Sequence, residues 1–442
     1  MQRINNKLKM PYFVLGFILI VVLGFLFYIN DFFNIKSTSE SSVIKLRFVD
    51  NISAAHQKLI ERFNTEYRGK IEVIPVDLPF AKFSTNERKQ LLAKSFRSKN
   101  DQIDVFTVDI IWVPRFARWG YSLEKDFSVS ENSQMIEYAL ESCYYDDQLI
   151  AIPFYIDIGM MYYRRDLLQL FPNSEELAEK LKRSITWEEF IELSKLYPRQ
   201  NHPFYLFPAK NFEGLICCFM ENLVGGEKHS MFRTDSIQLN TREARKAVAL
   251  LVDLVHKYKM TPLVSTRLDD EQNYRYALKN DALFFRGWPG LMRNFKSTPD
   301  KAKLKYLEAA ALPHFEGDQQ ESVFGGWNLM ISKFSTKKQA AIEFIKFVLR
   351  GESQKLMFEK GGYIPVNRAV YEDSVFLQKN PGLMYYRQLL KNGIHRPYNK
   401  NYTKMSDIIS YYLNLAIKKE ISVSEALDRA TREINSQNNL IR

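Results

Sequence analysis

The side chains with the most informative chemistry are two tryptophans set among glycines. Trp288 lies in R-G-W-P-G, and Trp327 lies in F-G-G-W-N. Glycine has no Cβ, so a ligand or another backbone segment can approach closely at such positions. An indole face can stack on the apolar face of a sugar ring, while nearby carboxylates and amides bind its hydroxyl groups. These settings favour a saccharide site, although each tryptophan taken alone is more typical of a hydrophobic core.

Motifs for catalysis, metals and nucleotides are missing from the sequence. The six histidines make no HExxH arrangement, and there is no GxSxG, GxxxxGK[ST] or strand-linked GxGxxG. Cys143, Cys217 and Cys218 form no metal-binding spacing and no good disulfide pair, so we expect them to be buried apolar residues. We therefore expect a protein that is not an enzyme and that uses no cofactor and no metal.

The length and the charge of the chain exclude further classes of protein. The chain has 442 residues with 46% hydrophobic content, which excludes a mainly disordered protein and exceeds what one core usually serves. The net charge is +11, from 62 Lys+Arg and 51 Asp+Glu. The basic pairs Arg164-Arg165 and Lys337-Lys338 are isolated, so we expect no nucleic-acid partner. The charge itself indicates only solubility beside an anionic membrane surface.

The N-terminus predicts a membrane segment. Residues 10–29 form an uncharged apolar run, long enough to span a bilayer of about 30 Å, behind a basic segment at 1–9. Positive charge stays cytoplasmic, so the bulk of the chain should be extracytoplasmic, at the cell surface or in a periplasm. No small-residue cleavage site and no lipoprotein cysteine follows the run, which favours an uncleaved single-pass anchor; a cleaved signal peptide remains the alternative. Residues 30–42 are predicted to be a tether.

Hydrophobic periodicity predicts the elements that must position these side chains. Strands at 43–48, 71–77 and 102–111 alternate with helices at 53–67 and 86–96, which indicates a parallel sheet covered by helices and an α/β class. Later segments show the same two patterns. One helix begins at the Thr186 capping box. Further helices are predicted at 241–258, 336–350 and 424–434, and strands at 282–285 and 322–332.

Five stretches, taken in order, resemble one protein family. They are D-V-F-T-V-D-I-I-W (104–112), I-A-I-P-F-Y-I-D-I-G-M-M-Y-Y-R-R-D-L (150–167), I-T-W-E-E-F (185–190), V-F-G-G-W-N-L-M-I-S (323–332) and G-Y-I-P-V-N-R-A-V-Y (362–371). The R-P-Y at 396–398 and S-E-A-L-D-R-A at 424–430 fit as well. Together they are similar to the family 1 extracellular solute-binding proteins of ABC importers, of the maltose/oligosaccharide-binding type.

The resemblance implies a two-lobe, type II periplasmic-binding-protein-like fold. Each lobe would be a mixed, mostly parallel sheet flanked by helices, with hinge crossovers near 154–156, 311–313 and 364–365. Lobe one would comprise 43–153 and 313–364, and lobe two 156–310 and 365–442. The usual lipid-anchoring cysteine is absent, so retention would depend on residues 10–29.

The resemblance also implies ligand-binding residues in the cleft. Asp109 and Trp112 match a D-x-x-W that lines lobe one, and Trp288 matches an aromatic stacking position in lobe two. Both Asp157 and Arg368 could instead brace the hinge. The full implied set is Asn51, Asp109, Trp112, Tyr155, Asp157, Trp288, Gly326, Trp327 and Arg368.

The function implied is a membrane-tethered subunit that captures a sugar or oligosaccharide and delivers it to ABC permease subunits. One alternative is a ligand sensor that signals to another membrane protein. Another is a binder of a non-sugar solute, such as a polyol or a phosphate ester. The identity of the ligand depends on the geometry of a few polar groups.

Overall fold

A computed structural model describes residues 43–79, 82–83, 85–99, 102–198, 201–223, 237–291 and 299–439. The predicted basic segment, membrane helix and tether (1–42) lie outside these residues. The strands are β1 Ile44–Asp50, β2 Ile71–Asp77, β3 Val105–Asp109, β4 Tyr144–Tyr145, β5 Gln148–Leu149, β6 Ile152–Ile158, β7 Met160–Arg164, β8 Tyr205–Leu206, β9 Phe284–Gly287, β10 Leu307–Ala310, β11 Ser322–Ile331 and β12 Gly393–Ile394.

The α-helices surround two sheets. They are α1 Ala54–Glu66, α2 Thr85–Arg97, α3 Val113–Phe116, α4 Val129–Ser133, α5 Glu137–Glu141, α6 Arg165–Leu168, α7 Ser174–Arg183, α8 Trp187–Leu196, α9 Glu213–Glu221, α10 Arg242–His256, α11 Asp270–Lys279, α12 Lys338–Leu349, α13 Gly351–Gly361, α14 Ser374–Lys379, α15 Gly382–Leu390, α16 Tyr402–Ile417 and α17 Val423–Asn439. Within the described part of the chain, none of these helices combines the length and the apolar character needed to cross a membrane.

The first sheet contains six strands of the described chain, in the order β12-β11-β3-β1-β2, with β6 also paired to β11. β1 is parallel to β2 and β3, because α1 and α2 carry the chain back between these strands. β11 runs antiparallel to both β3 and β6. The predicted strand–helix–strand pattern at the start of the chain is confirmed, although β3 ends at Asp109 rather than at residue 111.

The second sheet has the order β10-β7-β9-β8 in the described residues. β7 is antiparallel to β9 and β10, and β8 is parallel to β9. The mixed α/β class is confirmed, but this sheet departs from the predicted parallel majority. The chain leaves the first sheet after Ile158 and enters the second at Met160, so Gly159 is the crossing residue, a little beyond the predicted 154–156.

Local sequence signals explain where several helices begin and end. The Ser53 hydroxyl caps α1, and Thr186 with Glu189 forms the predicted capping box of α8. Gly362 ends α13 in the left-handed conformation, at φ +75°, as its sequence predicts. Asp269 caps α11 in the same way, because its side chain accepts a hydrogen bond from the amide of Gln272.

Two hydrophobic cores pack against the sheets: the first joins the first sheet to one face of the second, and the second covers the other face of the second sheet. Side chains from 366–390 pack in the first core, and those from 405–434 pack in the second. The division into lobes at residue 365 stays a prediction; if the cores define the lobes, residues 366–390 belong with the first. Cys143, Cys217 and Cys218 are buried free thiols, as expected.

Candidate functional site

The end of β3 forms the first wall of the site. Asp109 is the last residue of β3, and its side chain accepts a hydrogen bond from the Ile111 amide at 3.2 Å. This cap starts a 3-10 turn that folds Trp112 back against the sheet. The indoles of Trp112 and Trp327 meet edge to face, with ring centroids 5.3 Å apart. Because Trp327 lies opposite Asp109 in the β3–β11 register, three predicted site residues converge here.

A buried arginine covers the ring of Trp327. The guanidinium carbon of Arg88, on α2, lies 4.3 Å from the ring centroid, which is a cation–π distance. The Arg88 Nη2 lies 3.1 Å from the Asp50 carboxylate, which is also 3.3 Å from His56 and accepts a hydrogen bond from the Thr107 hydroxyl at 2.5 Å. Burial acts to raise the pKa of Asp50, but the hydrogen bond and charge of His56 and the charge of Arg88 outweigh it, so this pKa is lowered. The charged carboxylate therefore holds Arg88 over the ring.

The strand β6 continues the first wall. Tyr155 lies opposite Trp327, and Asp157 lies opposite Gly325, in the antiparallel β6–β11 pair. Gly326 has a φ of +130°, and a Cβ there would lie 2.6 Å from the carbonyl oxygen of Tyr155. Only glycine fits this approach, so Gly326 serves the packing of the two strands.

Asp157 is a half-buried carboxyl group of this wall. Burial, followed by the nearby charge of Asp109, raises the pKa of Asp157 well above its ordinary value. Its Cβ is 3.2 Å from the position that a Cβ on Gly325 would occupy. Such a carboxyl group, poorly solvated and beside aromatic rings, suits hydrogen bonding to a ligand hydroxyl.

Trp288 supplies the second wall from the other sheet. It follows β9, where its amide donates to the Tyr274 hydroxyl at 2.9 Å and its carbonyl accepts from the Tyr162 hydroxyl at 3.0 Å. A Cβ on Gly325 would lie 2.7 Å from the indole. The ring of Trp288 therefore lies directly against β11, and Gly325 makes room for it.

A second buried arginine covers the ring of Trp288. The guanidinium carbon of Arg286 lies 3.9 Å from the ring centroid, and Arg286 forms two hydrogen bonds to Glu221, at 2.9 and 3.3 Å. Asp270 lies 3.6 Å from the same guanidinium. Burial raises the pKa of Asp270 to about 6, against the opposing effect of Arg286.

Arg396 joins the end of β3 to the start of α9. Its guanidinium, 2% exposed, lies 3.0 Å from Asp109 at the end of β3 and 2.9 Å from Glu213 at the start of α9. Glu213 also accepts hydrogen bonds from the hydroxyls of Tyr402, at 2.8 Å, and Ser406. The carboxylate of Asp109, which we expected to accept sugar hydroxyls, is therefore already bonded to a cation.

The structure brings seven of the nine predicted site residues together, and a ligand role for Asn51 and Arg368 stays a prediction. Asn51 follows β1, with its amide bonded to the Asp50 carboxylate at 2.7 Å. Arg368 is exposed and donates to the carbonyl of Met135 at 2.8 Å. That bond fits the alternative bracing role for Arg368. The residues that converge are Asp109, Trp112, Tyr155, Asp157, Trp288, Gly326 and Trp327.

The sequence analysis missed the charged residues that hold these side chains. They are Arg88, Glu213, Glu221, Arg286 and Arg396. Arg396 had a signal, since it begins the R-P-Y tripeptide noted above, and Arg286 begins R-G-W-P-G. Among the described residues, no group of three His, Cys, Asp or Glu side chains could hold a metal ion.

Two α/β layers that meet at a cluster of aromatic and charged side chains are typical of a binding protein of the periplasmic type. The chain matches the model of the bacterial extracellular solute-binding protein family over residues 58–385. It therefore belongs to that family, and the resemblance seen in its motifs is confirmed. It is an extracellular solute-binding protein by family, with its bulk outside the cytoplasm.

Solved and curated proteins with similar chains support this assignment. The maltose-bound MalE3 of T. maritima superposes with a TM-score of 0.79 and 27% identity, covering 89% of this chain and 100% of that one. A probable ABC transporter-binding protein of Deinococcus radiodurans is 22% identical over 355 residues, or 78% of this chain and 82% of that protein. An sn-glycerol-3-phosphate-binding periplasmic protein of Pectobacterium atrosepticum is 21% identical over 409 residues, with 86% of each chain covered.

Proposed function

We propose that this chain captures a sugar or oligosaccharide between two lobes and delivers it to an ABC permease. The observation that carries the proposal is the meeting of Trp288 with β11 beside Trp327 and Asp157. Indole faces suit the C–H faces of a pyranose ring, and carboxyl groups suit its hydroxyls. The likeness to a maltose-bound neighbour supports the same ligand class.

Ligand titration of the full-length chain tests this proposal. The protein is kept in a detergent without a sugar headgroup, since a glucoside or maltoside could itself occupy the cleft. Tryptophan emission and titration calorimetry are followed with maltose, maltotriose, cellobiose, ribitol and sn-glycerol 3-phosphate. We expect a saccharide to bind with micromolar affinity or better and to change the emission, since tryptophans line the cleft.

Substitution of Trp288 checks that binding occurs in this cleft. Trp288→Ala should weaken saccharide binding at least about tenfold, because stacking of an aromatic ring is worth about 1 kcal/mol or more beyond its burial. Trp119→Phe is the matched control, since Trp119 stacks on Phe96 and belongs to neither wall. Equal saccharide affinity in Trp288→Ala and the control would contradict binding in this cleft. Failure of every saccharide to bind would contradict a saccharide as the ligand.

A phosphate ester is the alternative ligand that one relative favours by its name. Its anionic group would need a cation, and Arg88, Arg286 and Arg396 are each bonded to carboxylates here. We therefore rank it below a saccharide, and the sn-glycerol 3-phosphate titration decides between them. A sensing role, with the same cleft signalling to another membrane protein, would bind ligand equally and differ in its partner.

Attachment to the membrane is the remaining part of the proposal. Residues 10–29 would form a single-pass anchor, followed by a tether at 30–42. The intact mass of the mature protein, together with its retention in membranes after alkaline carbonate washing, tests this. An N-terminus that begins beyond residue 29 would replace the anchor with a cleaved signal peptide.

A further inference from the structure

Trp288 occupies a special place between the two cores. It packs against both hydrophobic cores. Its backbone directly follows β9 of the second sheet, yet its indole lies on Gly325 of β11 in the first. The position of this one ring therefore depends on how the two sheets are arranged.

Arg286 fixes that ring from behind. The side chain is 1% exposed, and its guanidinium carbon is 3.9 Å from the indole centroid. Two hydrogen bonds to Glu221, from Nη2 at 2.9 Å and from Nε at 3.3 Å, orient the guanidinium plane. Asp270 lies beside the same guanidinium, with a carboxylate oxygen 3.6 Å from its Nη1. Arg286 thus covers one face of the ring.

The same ion pair touches the crossing between the sheets. A Cβ on Gly159 would overlap the Glu221 carboxylate and would lie 3.0 Å from the guanidinium of Arg286. Gly159 also donates its amide to the carbonyl of Val323, on β11, at 3.0 Å. The residue that changes sheets is therefore in contact with the pair that holds the tryptophan.

We propose that Arg286, held by Glu221, is a positioning residue that sets Trp288 for ligand stacking and ties its orientation to the crossing at Gly159. The inference deepens the proposed function and rests on it. Arg286 does not touch the ligand; it acts through the indole. The cation–π contact between a guanidinium and a desolvated indole favours their packed arrangement by about tenfold or more, expressed as an equilibrium constant.

A double-mutant cycle separates this role from ordinary core packing. Arg286→Met, Trp288→Phe and the double variant are titrated with maltose, as full-length protein in a detergent without a sugar headgroup. If Arg286 acts through Trp288, the substitution weakens maltose binding about tenfold in the wild-type background and has little further effect in Trp288→Phe. An equal loss in both backgrounds would overturn the inference.

A readout without ligand keeps the test independent of the proposed function. The emission of Trp288 is obtained by subtracting the spectrum of Trp288→Phe from its parent, with and without Arg286→Met. We expect the Trp288 emission to move to longer wavelength without Arg286, because its covered face becomes hydrated. If maltose does not bind the wild type, the proposed maltose-type ligand fails and this spectrum alone decides the inference.

Arg164 provides a matched control in the same sheet. It is also a buried arginine with two carboxylate partners, at 2.6 Å from Asp166 and 3.0 Å from Asp281, and its guanidinium lies 5.9 Å from the Tyr306 ring. Arg164→Met should lower thermal stability and leave maltose affinity and Trp288 emission unchanged. Changes in these two readouts as large as those of Arg286→Met would overturn the inference.

Two milder variants cover the case in which Arg286→Met does not fold. Arg286→Lys keeps the charge but loses the flat guanidinium, and Gly159→Ala displaces Glu221 from the crossing side without altering either wall. Both should shift the Trp288 emission in the same direction as Arg286→Met. Emission identical to the wild type in both variants would overturn the inference.

Discussion

Removal of Arg396 should destabilise the protein strongly and in a pH-dependent way. Arg396 lies between Asp109 and Glu213, at 3.0 and 2.9 Å, where the three side chains are 2%, 13% and 10% exposed. Arg396→Met keeps most of the side-chain volume and leaves two carboxylates facing each other without a cation. Breaking such a buried arrangement by deleting one partner costs about 3 to 5 kcal/mol.

The expected loss is large enough to measure by thermal unfolding. Each kcal/mol lowers the Tm of a domain of roughly 200 residues by about 2 to 4 °C, so the Tm should fall by at least about 6 °C at pH 7. Arg429→Met is the control, because Arg429 pairs with Glu425 on the surface at 45% exposure. Loss of that exposed pair should cost about 0.5 kcal/mol or less.

The sign of the pH dependence follows from Asp109. Burial and the charge of Glu213 raise the pKa of Asp109, while Arg396 opposes them. Without Arg396 the pKa rises further above its unfolded value near 4, so the ionised carboxylate destabilises the folded state. The variant should regain stability relative to the wild type as the pH falls from 7 towards 4. A deficit below about 1 kcal/mol at pH 7, or one that does not shrink on acidification, would refute this account of the bridge.

Three further outcomes are expected from the structure. Gly326→Ala should cost at least about 2 kcal/mol in urea unfolding, because of its φ of +130° and the 2.6 Å approach to Tyr155, whereas Gly382→Ala, with open space around it, should gain about 0.4 to 1 kcal/mol. Asp270→Asn should flatten the dependence of Tm on pH. The wild type loses stability as the pH rises through about 6, because the pKa of Asp270 in the folded state, about 6, lies above its unfolded value. Identical profiles of Tm against pH in the two proteins would contradict this prediction. Cys143, Cys217 and Cys218 should react with a thiol reagent only after unfolding, since burial raises the pKa of each thiol, and reaction of native protein would count against their burial.

Periodicity and capping residues predicted many of the elements that carry the site. The strand at 71–77 has the bounds of β2, and the Thr186 capping box begins α8. Asp109 and Trp112 at the end of β3, and Gly326 beside Trp327, could also be predicted, because the residues around each of them in the sequence indicate its place. Such signals lie within a few residues of one another along the chain.

The charged groups that hold the tryptophans could not be predicted, because each pair joins distant segments. Glu221 meets Arg286, and Asp109 meets Arg396, only after the sheets and α9 have been assembled. The antiparallel pairing in the second sheet was not predicted either, because the contact of β10 with β7 joins distant segments and leaves no local sequence pattern. Arg368 was placed in the site by its motif alone, and its bond to Met135 is a tertiary contact of the same kind.

The strand order has a consequence for how the chain is made. The first sheet needs β11, which pairs with β3 and β6 and follows every strand of the second sheet in sequence. A chain that emerges from its N-terminus cannot pair β3 and β6 fully with β11 until residue 331 is available. Before that, one edge of β3 and one edge of β6 lack their partner, and unpaired edges associate readily with other chains. Biogenesis of this protein therefore depends on keeping the newly exported chain from pairing through these edges before β11 arrives.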